Sequence, residues 1–156
     1  AILRARIVFV VVIIALVSNI VLDEDDTRSV TSRNFYGAVT VQFTDEVTTL
    51  LHGTTVHGIQ PTAEEWSYMP TTYYVAESGV GRAVLYEQTL WVESGISVGI
   101  IGLGTGSMAA HCRVNDSYVF YEIDPRIEGI ARDYFSYLER CEDSDVRLGD
   151  VPDRSN

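Results

Sequence analysis

The chain has 156 residues, 46% hydrophobic and 21% charged, which suits one ordinary domain with a core and not a disordered chain. Its formal net charge is −11, and its eleven Lys and Arg residues are scattered. That argues against a nucleic-acid partner, because neutralising phosphates needs a basic cluster. The acidity reads as a solvated surface, with attraction of a cationic small molecule as the functional alternative. Cys112 and Cys141 lie far apart, with no CxxC and no histidine at ligand spacing. Neither a disulfide nor a zinc site is expected, and Cys112 reads as a small core residue.

An apolar segment opens the chain. Ile7 to Val17 is uninterrupted, and Ile20, Val21 and Leu22 follow Ser18 and Asn19. A spanning helix needs about 20 mostly apolar residues, so residues 1–22 are expected to form an N-terminal apolar helix. With Ala in first place instead of Met, it is expected to be the end of a membrane helix from a longer parent. A signal-peptide core and a long buried strand are the alternatives, since Val and Ile dominate it. Arg4 and Arg6 precede it and the acidic run Asp23 to Asp26 follows. By the positive-inside rule the arginine side faces the cytoplasm and the following domain lies outside.

Residues 23–33 read as a polar linker, and residues 34–95 as a small β region with a connecting helix. Tyr36, Ala38, Val39, Val41 and Phe43 have strand character, and Asp45-Glu46 marks a turn. Val47, Leu50 and Leu51 lead to Gly53, and Val56 to Ile59 is a further short strand, completing an antiparallel meander. Pro61 to Thr72 is loop-like, and Tyr73 to Leu90 is expected to be helical, although Gly79 and Gly81 weaken it.

Residues 96–156 show a different pattern. Ile96 to Ile101 is a near-continuous apolar run, as in a parallel strand buried on both faces. Gly102-Leu103-Gly104-Thr105-Gly106 turns the chain, Ser107 to Cys112 starts a helix, and Tyr118 to Ile123 is a second strand. Pro125 suits the first position of the next helix, Arg126 to Arg140, which carries Ile127, Ile130, Ala131, Tyr134, Phe135 and Leu138 on one face. Val146 to Leu148 is a third strand ahead of Gly149-Asp150. The alternation predicts an α/β fold with an incomplete, doubly wound, Rossmann-type parallel sheet, preceded by the small antiparallel β region and the apolar helix.

A strand, a GLGTG turn and a helix together let a ligand approach the backbone beside the positive end of the helix. An acid ending the next strand can accept hydrogen bonds from both ribose hydroxyls, and Glu122 and Asp124 stand there. A dinucleotide fingerprint places its third glycine three residues after the second. Here Gly106 follows Gly104 by two, which favours an adenosylmethionine-type ligand and a methyltransferase-like version of the fold. A glycine-rich turn without a ligand, beside a solvated Glu122, is the plain alternative.

RNFYGAVTV at 33–41, LLHGTTVHGIQ at 50–60, PTTYY at 70–74, ESGVG at 77–81, GIIGLGTGSMAA at 99–110, FYEIDP at 120–125 and LGD at 148–150 cover most of the chain after residue 33. These segments resemble the spermidine synthase (polyamine aminopropyltransferase) family, above all its membrane-fused, spermidine synthase-like branch. The resemblance implies aminopropyl transfer from decarboxylated S-adenosylmethionine to a diamine such as putrescine, with no metal. It implies that Glu122 holds the ribose, that Gly102, Gly104, Thr105 and Gly106 form the cofactor turn with Asp124 beside it, and that Asp150 lies on the adenine side. His57, Gln60 and Tyr74 fall where the family's β domain and following loop cover the active site. As residues alone, His57 reads as a satisfied histidine and Tyr74 as a packing aromatic. A co-substrate made in the cytosol implies a membrane-associated protein with its catalytic domain in the cytoplasm, against the charge order around the apolar segment.

Two departures from the family pattern matter. Thr105 stands where the family usually has an Asp that meets the cofactor's amino group, so ordinary S-adenosylmethionine becomes an alternative donor. The family's catalytic Asp follows the GD motif, and VPDRSN does not continue as that strand. No catalytic residue is therefore assigned, and Asp150 and Asp153 are not assumed to substitute. Three parallel strands leave an open edge, to be covered by a second copy or by the remainder of a longer chain. The expectation is a spermidine synthase-like transferase represented by its cofactor-binding half. An adenosylmethionine-dependent methyltransferase and a non-catalytic, membrane-tethered binding module are the alternatives.

Overall fold

The structure, a computed structural model, describes residue 13 and residues 27–149. The expected helix over residues 1–22 falls, but for residue 13, outside the described residues, as does Asp150. No helix among the described residues is long and apolar enough to cross a membrane.

Strands β1 (Arg28–Asn34), β2 (Gly37–Phe43), β3 (Val47–His52) and β4 (Thr55–Pro61) form an antiparallel sheet in that order. Each connection is local. At the β2–β3 turn the Thr44 hydroxyl accepts from the backbone N–H of Val47 at 3.0 Å. Val39, Val41 and Leu50 are buried on one face of this sheet, packed with Phe135 and Tyr137. β1 occupies residues where a linker is expected. Its sequence RSVTSRN has no apolar face and is mostly exposed, so backbone pairing to β2 holds it rather than burial.

The second sheet is parallel, β5 (Ser97–Ile101), β6 (Ser117–Glu122) and β7 (Ser144–Leu148), again in sequence order. Tyr118 and Phe120 of β6 are fully buried, against Val84 of helix α1 (Gly79–Leu90), Met108, Ala109, Leu138 and Ala131 of helix α2 (Pro125–Tyr134). β5 is not buried on both faces: Ser97, Gly99 and Ile101 are exposed and Val98 and Ile100 are half-buried. α1 starts at Gly79 and not at residue 73, because Ser78 caps it by accepting from Gly81 N at 3.0 Å. Gly81 is required there, since a Cβ would run into the Val75 carbonyl.

The expectation of a Rossmann-type fold is corrected by this architecture. The larger sheet is antiparallel with four strands, the parallel sheet is a small one of three, and the apolar N-terminal helix is not among the described elements. The molecule is Rossmann-like only in part. The glycine turn leads into a 3-10 turn, Ser107–His111, instead of an α-helix. Its five residues are confined between Gly106, in the left-handed region at φ 79°, and Cys112, which is extended and bonded to Cys141. α2 likewise stops at Tyr134. Phe135 turns extended and swings its ring, with Tyr137, onto the antiparallel sheet, so the apolar periodicity through Leu138 is shared between two clusters.

The Cys112–Cys141 disulfide overturns the expectation of unpaired cysteines. Their Cα atoms are 5.4 Å apart, within bonding reach, and both side chains are buried. The bond joins the end of the 3-10 turn to the segment before β7, two places far apart in sequence and adjacent only once both crossovers have formed.

Candidate functional site

A cavity of about 410 Å³ opens where the C-terminal ends of β5 and β6 face the antiparallel sheet. Gly102, Gly104 and Glu122 line one side, and Tyr36, His52 and His57 the other. Larger clefts, about 480 Å³ between α1 and β5 and about 560 Å³ beside Arg113 and Asp116, hold none of the expected site residues.

Glu122 ends β6 and is 7% exposed. Its Oε2 accepts from Leu103 N and its Oε1 from Asp124 N, each at 2.9 Å. The two N–H groups fix the carboxylate between the glycine turn and the start of α2. A carboxylate has about four acceptor sites, so each oxygen keeps one for a ligand hydroxyl. Gly102 (φ 87°) and Gly104 (φ 57°) both require the left-handed region, and they bring bare backbone to the cavity wall.

Asp124 borders the same cavity but is already engaged. It caps α2 by accepting from Arg126 N at 3.0 Å, pairs with the Arg126 guanidinium at 2.7 Å and accepts from Asn34 Nδ2 at 2.9 Å. Burial works against its charge, but the Arg126 side chain, the backbone N–H and Asn34 outweigh it and hold the carboxyl below its ordinary range. Arg126 also reaches Asn34 Oδ1 at 2.6 Å and Ser32 Oγ at 3.2 Å. The start of α2 is thereby fastened to the β1–β2 hairpin, and Tyr36 N is bonded to the same Asn34 oxygen at 2.7 Å.

The β3–β4 hairpin supplies two imidazoles. His57 is the extra residue of a bulge, since Leu50 pairs with Gly58 and Leu51 with Val56. Bulges re-aim side chains, and His57, exposed to solvent, is among the residues that line the cavity. The His57 carbonyl lies 3.3 Å from the place a Gly104 Cβ would take, so β4 runs directly over the glycine turn. His52 lies with its ring against Gly37, a position with no room for a Cβ. The two ring centroids are 5.7 Å apart. Tyr74 also borders the cavity, with its carbonyl accepting from His111 Nε2 at 2.6 Å.

The structure thus gathers Gly102, Gly104, Glu122, Asp124, His57 and Tyr74 around one space and leaves three expected residues out of it. Thr105 is 1% exposed, its hydroxyl has no partner, and it packs on Gly58 where any Cβ would collide. Gly106 backs onto Leu138, 3.1 Å from a would-be Cβ. Gln60 bridges away from the cavity, donating to Ser67 O at 2.6 Å and Ser136 Oγ at 2.8 Å while accepting from Ser136 N at 3.0 Å. His52 and Tyr36 are absent from the sequence-based set. The spacing HGTTVH, two histidines across a two-residue turn, was the available signal for His52.

Among the described residues no group of three or more His, Cys, Asp or Glu side chains is placed to hold a metal ion. No protein-family model and no curated protein matches the chain.

Proposed function

We propose that this chain holds an adenosyl co-substrate for a spermidine synthase-like transferase. The observation that carries the reading is Glu122, buried at the end of β6, fixed by two backbone N–H groups, and facing a cavity walled by Gly102 and Gly104. A ribose donating its two hydroxyls to the free acceptor sites of Glu122 would lie against bare backbone, where a side chain on either glycine would exclude it.

In the aminopropyl reading the acceptor amine of a diamine such as putrescine forms a bond to the propyl carbon of decarboxylated S-adenosylmethionine. The carbon–sulfur pair returns to sulfur, methylthioadenosine leaves, and the amine loses a proton. None of the described residues is assigned as the base for that proton. Methyl transfer from S-adenosylmethionine is the second reading, favoured by Thr105, which packs on Gly58 and offers the ligand no carboxylate. A binding module without chemistry would keep the same cavity.

For location, the co-substrate's origin speaks for a membrane-associated protein with this domain in the cytoplasm. The Cys112–Cys141 bond and the order of charges around residues 7–17 both support the oxidising side instead, and that side is our proposal. Rapid thiol alkylation in intact cells, followed by denaturation, tests it. Protection of both cysteines until a reductant is added is the expected result, and free thiols on both would place the domain in the cytoplasm.

Calorimetric titration with methylthioadenosine and S-adenosylhomocysteine tests the binding itself. The folded wild type should bind at least one of them, and Glu122→Ala should weaken binding by tenfold or more, about 1.4 kcal/mol. Absence of heat with both ligands, on protein shown to be folded by circular dichroism, overturns the reading.

A further inference from the structure

We propose that His52 and His57 form the carboxylate-binding end of the cavity, so that the adenosyl ligand is one that keeps its carboxylate. This rests on the ribose reading of Glu122 and chooses between the donors that reading leaves open. S-adenosylmethionine, or its thioether product, offers this pair a carboxylate; the decarboxylated donor does not.

Both donors carry an ammonium group, so the carboxylate is what separates them, and it calls for hydrogen-bond donors and not for a further acid. The two carboxylates that border the cavity are Glu122, bonded to Leu103 N and Asp124 N, and Asp124, paired with Arg126 and capping α2. The turn position that could supply a third holds Thr105, and its side chain is packed against Gly58, outside the cavity lining. The remaining polar side chains on the wall are the phenols of Tyr36 and Tyr74 and the two imidazoles. An imidazole carries at least one N–H donor in either protonation state, so a pair of them can bond the two oxygens of a carboxylate.

Position supports the assignment as strongly as chemistry. The β3–β4 hairpin crosses the glycine turn at two successive residues, with the His57 carbonyl against Gly104 and Gly58 against Thr105. A nucleoside whose ribose is on Glu122 and whose tail runs along the glycine turn therefore ends beneath this hairpin. Both rings are exposed to solvent and line the cavity. His57 is the extra residue of the bulge, and His52 rests on Gly37, whose φ of 124° and bare Cα make room for it. Arg126, through Gly37 O at 3.4 Å and Asn34, anchors that same stretch of β2.

Three ligands separate the outcomes: S-adenosylhomocysteine, its decarboxylated counterpart, and methylthioadenosine, each titrated into the full chain by calorimetry. The expected result is at least tenfold tighter binding of S-adenosylhomocysteine than of the decarboxylated ligand. In the variant carrying His52→Ala and His57→Ala that ratio should fall to about one. Equal affinities in the wild type, or a ratio unchanged in the double variant, would overturn the inference while the adenosyl reading stands. Failure of all three ligands to bind folded wild type overturns both. Where the double variant does not fold, His57→Ala alone should lower the ratio, and an unchanged ratio in that folded single variant would overturn the inference.

Discussion

In the antiparallel sheet each strand pairs with its neighbour in sequence through a connection of two or three residues. Each pairing in the parallel sheet instead needs a crossover, from Gly102 to Asp116 and from Ile123 to Asp143. The two halves are stabilised accordingly. β1–β4 rely on backbone ladders and one apolar face. The parallel half adds the disulfide and a buried polar knot, in which Asp116, 2% exposed, accepts from Gln88 Nε2, Ile96 N and Arg113 N at 2.8–2.9 Å. That knot joins α1, Ile96 at the entry to β5 and the loop before β6, three segments that local pairing does not connect. The lesson is that long-range topology here depends on long-range bonds, and the cavity depends on both halves because its walls come from each.

The largest expected effect is on the disulfide. Replacing both cysteines with serine should lower stability by about 3.5 kcal/mol, the chain-entropy value for a loop of about 30 residues. Urea unfolding gives the magnitude, and hydrogen exchange gives its location. Amides of β5–β7 should lose protection ahead of those of β2 and β3, and a uniform loss would break the contrast between the sheets. Next is the seam where the halves touch. Gly58→Ala forces a methyl into Thr105 and should cost about 2 kcal/mol, most of it recovered by adding Thr105→Ala. Additive thermal shifts would mean that the seam is not packed as described.

Asp124 gives a smaller, pH-dependent effect. Its carboxyl is held below the ordinary value in the folded protein, so its contribution is present above the unfolded-state value near 4 and is lost as pH falls through the folded one. Asp124→Asn keeps a capping oxygen but loses the charged pair with Arg126, so it should cost about 1 kcal/mol at pH 7 and flatten the acid limb of a stability–pH curve. A parallel curve would show that Asp124 is uncharged in this site. The smallest effect is at the exposed pair of Arg132 and Glu128 on α2, 2.9 Å apart, where Glu128→Gln should change stability by no more than about 0.5 kcal/mol.

The glycine turn, Glu122 and strands β2 to β4 were legible because they combine special backbone needs or alternating burial with clear sequence signs. β1 was not, since an edge strand held by backbone bonds shows no apolar period. The 3-10 turn read as a helix because SMAAH is apolar and unbroken, while the constraint on it comes from Cys141 elsewhere in the chain. The disulfide itself had no local signal. In the site, Asp124 read as a ligand contact because position alone cannot show that Arg126 and Asn34 already occupy it. Gln60 and Thr105 were placed by resemblance, and their orientation depends on where β4 crosses the turn.

The order of strands also sets a schedule. All pairings of β1–β4 lie within residues 28–61, so their contact order is low and their assembly is fast. Synthesis proceeds from the N-terminus, and these strands emerge before the glycine turn exists. They still lack Phe135 and Tyr137, with Ala110, Ile127, Ile130 and Tyr134 around them, to close their apolar face. The hairpin bearing His52 and His57 is therefore expected to be paired before the crossovers bring the glycine turn beneath it.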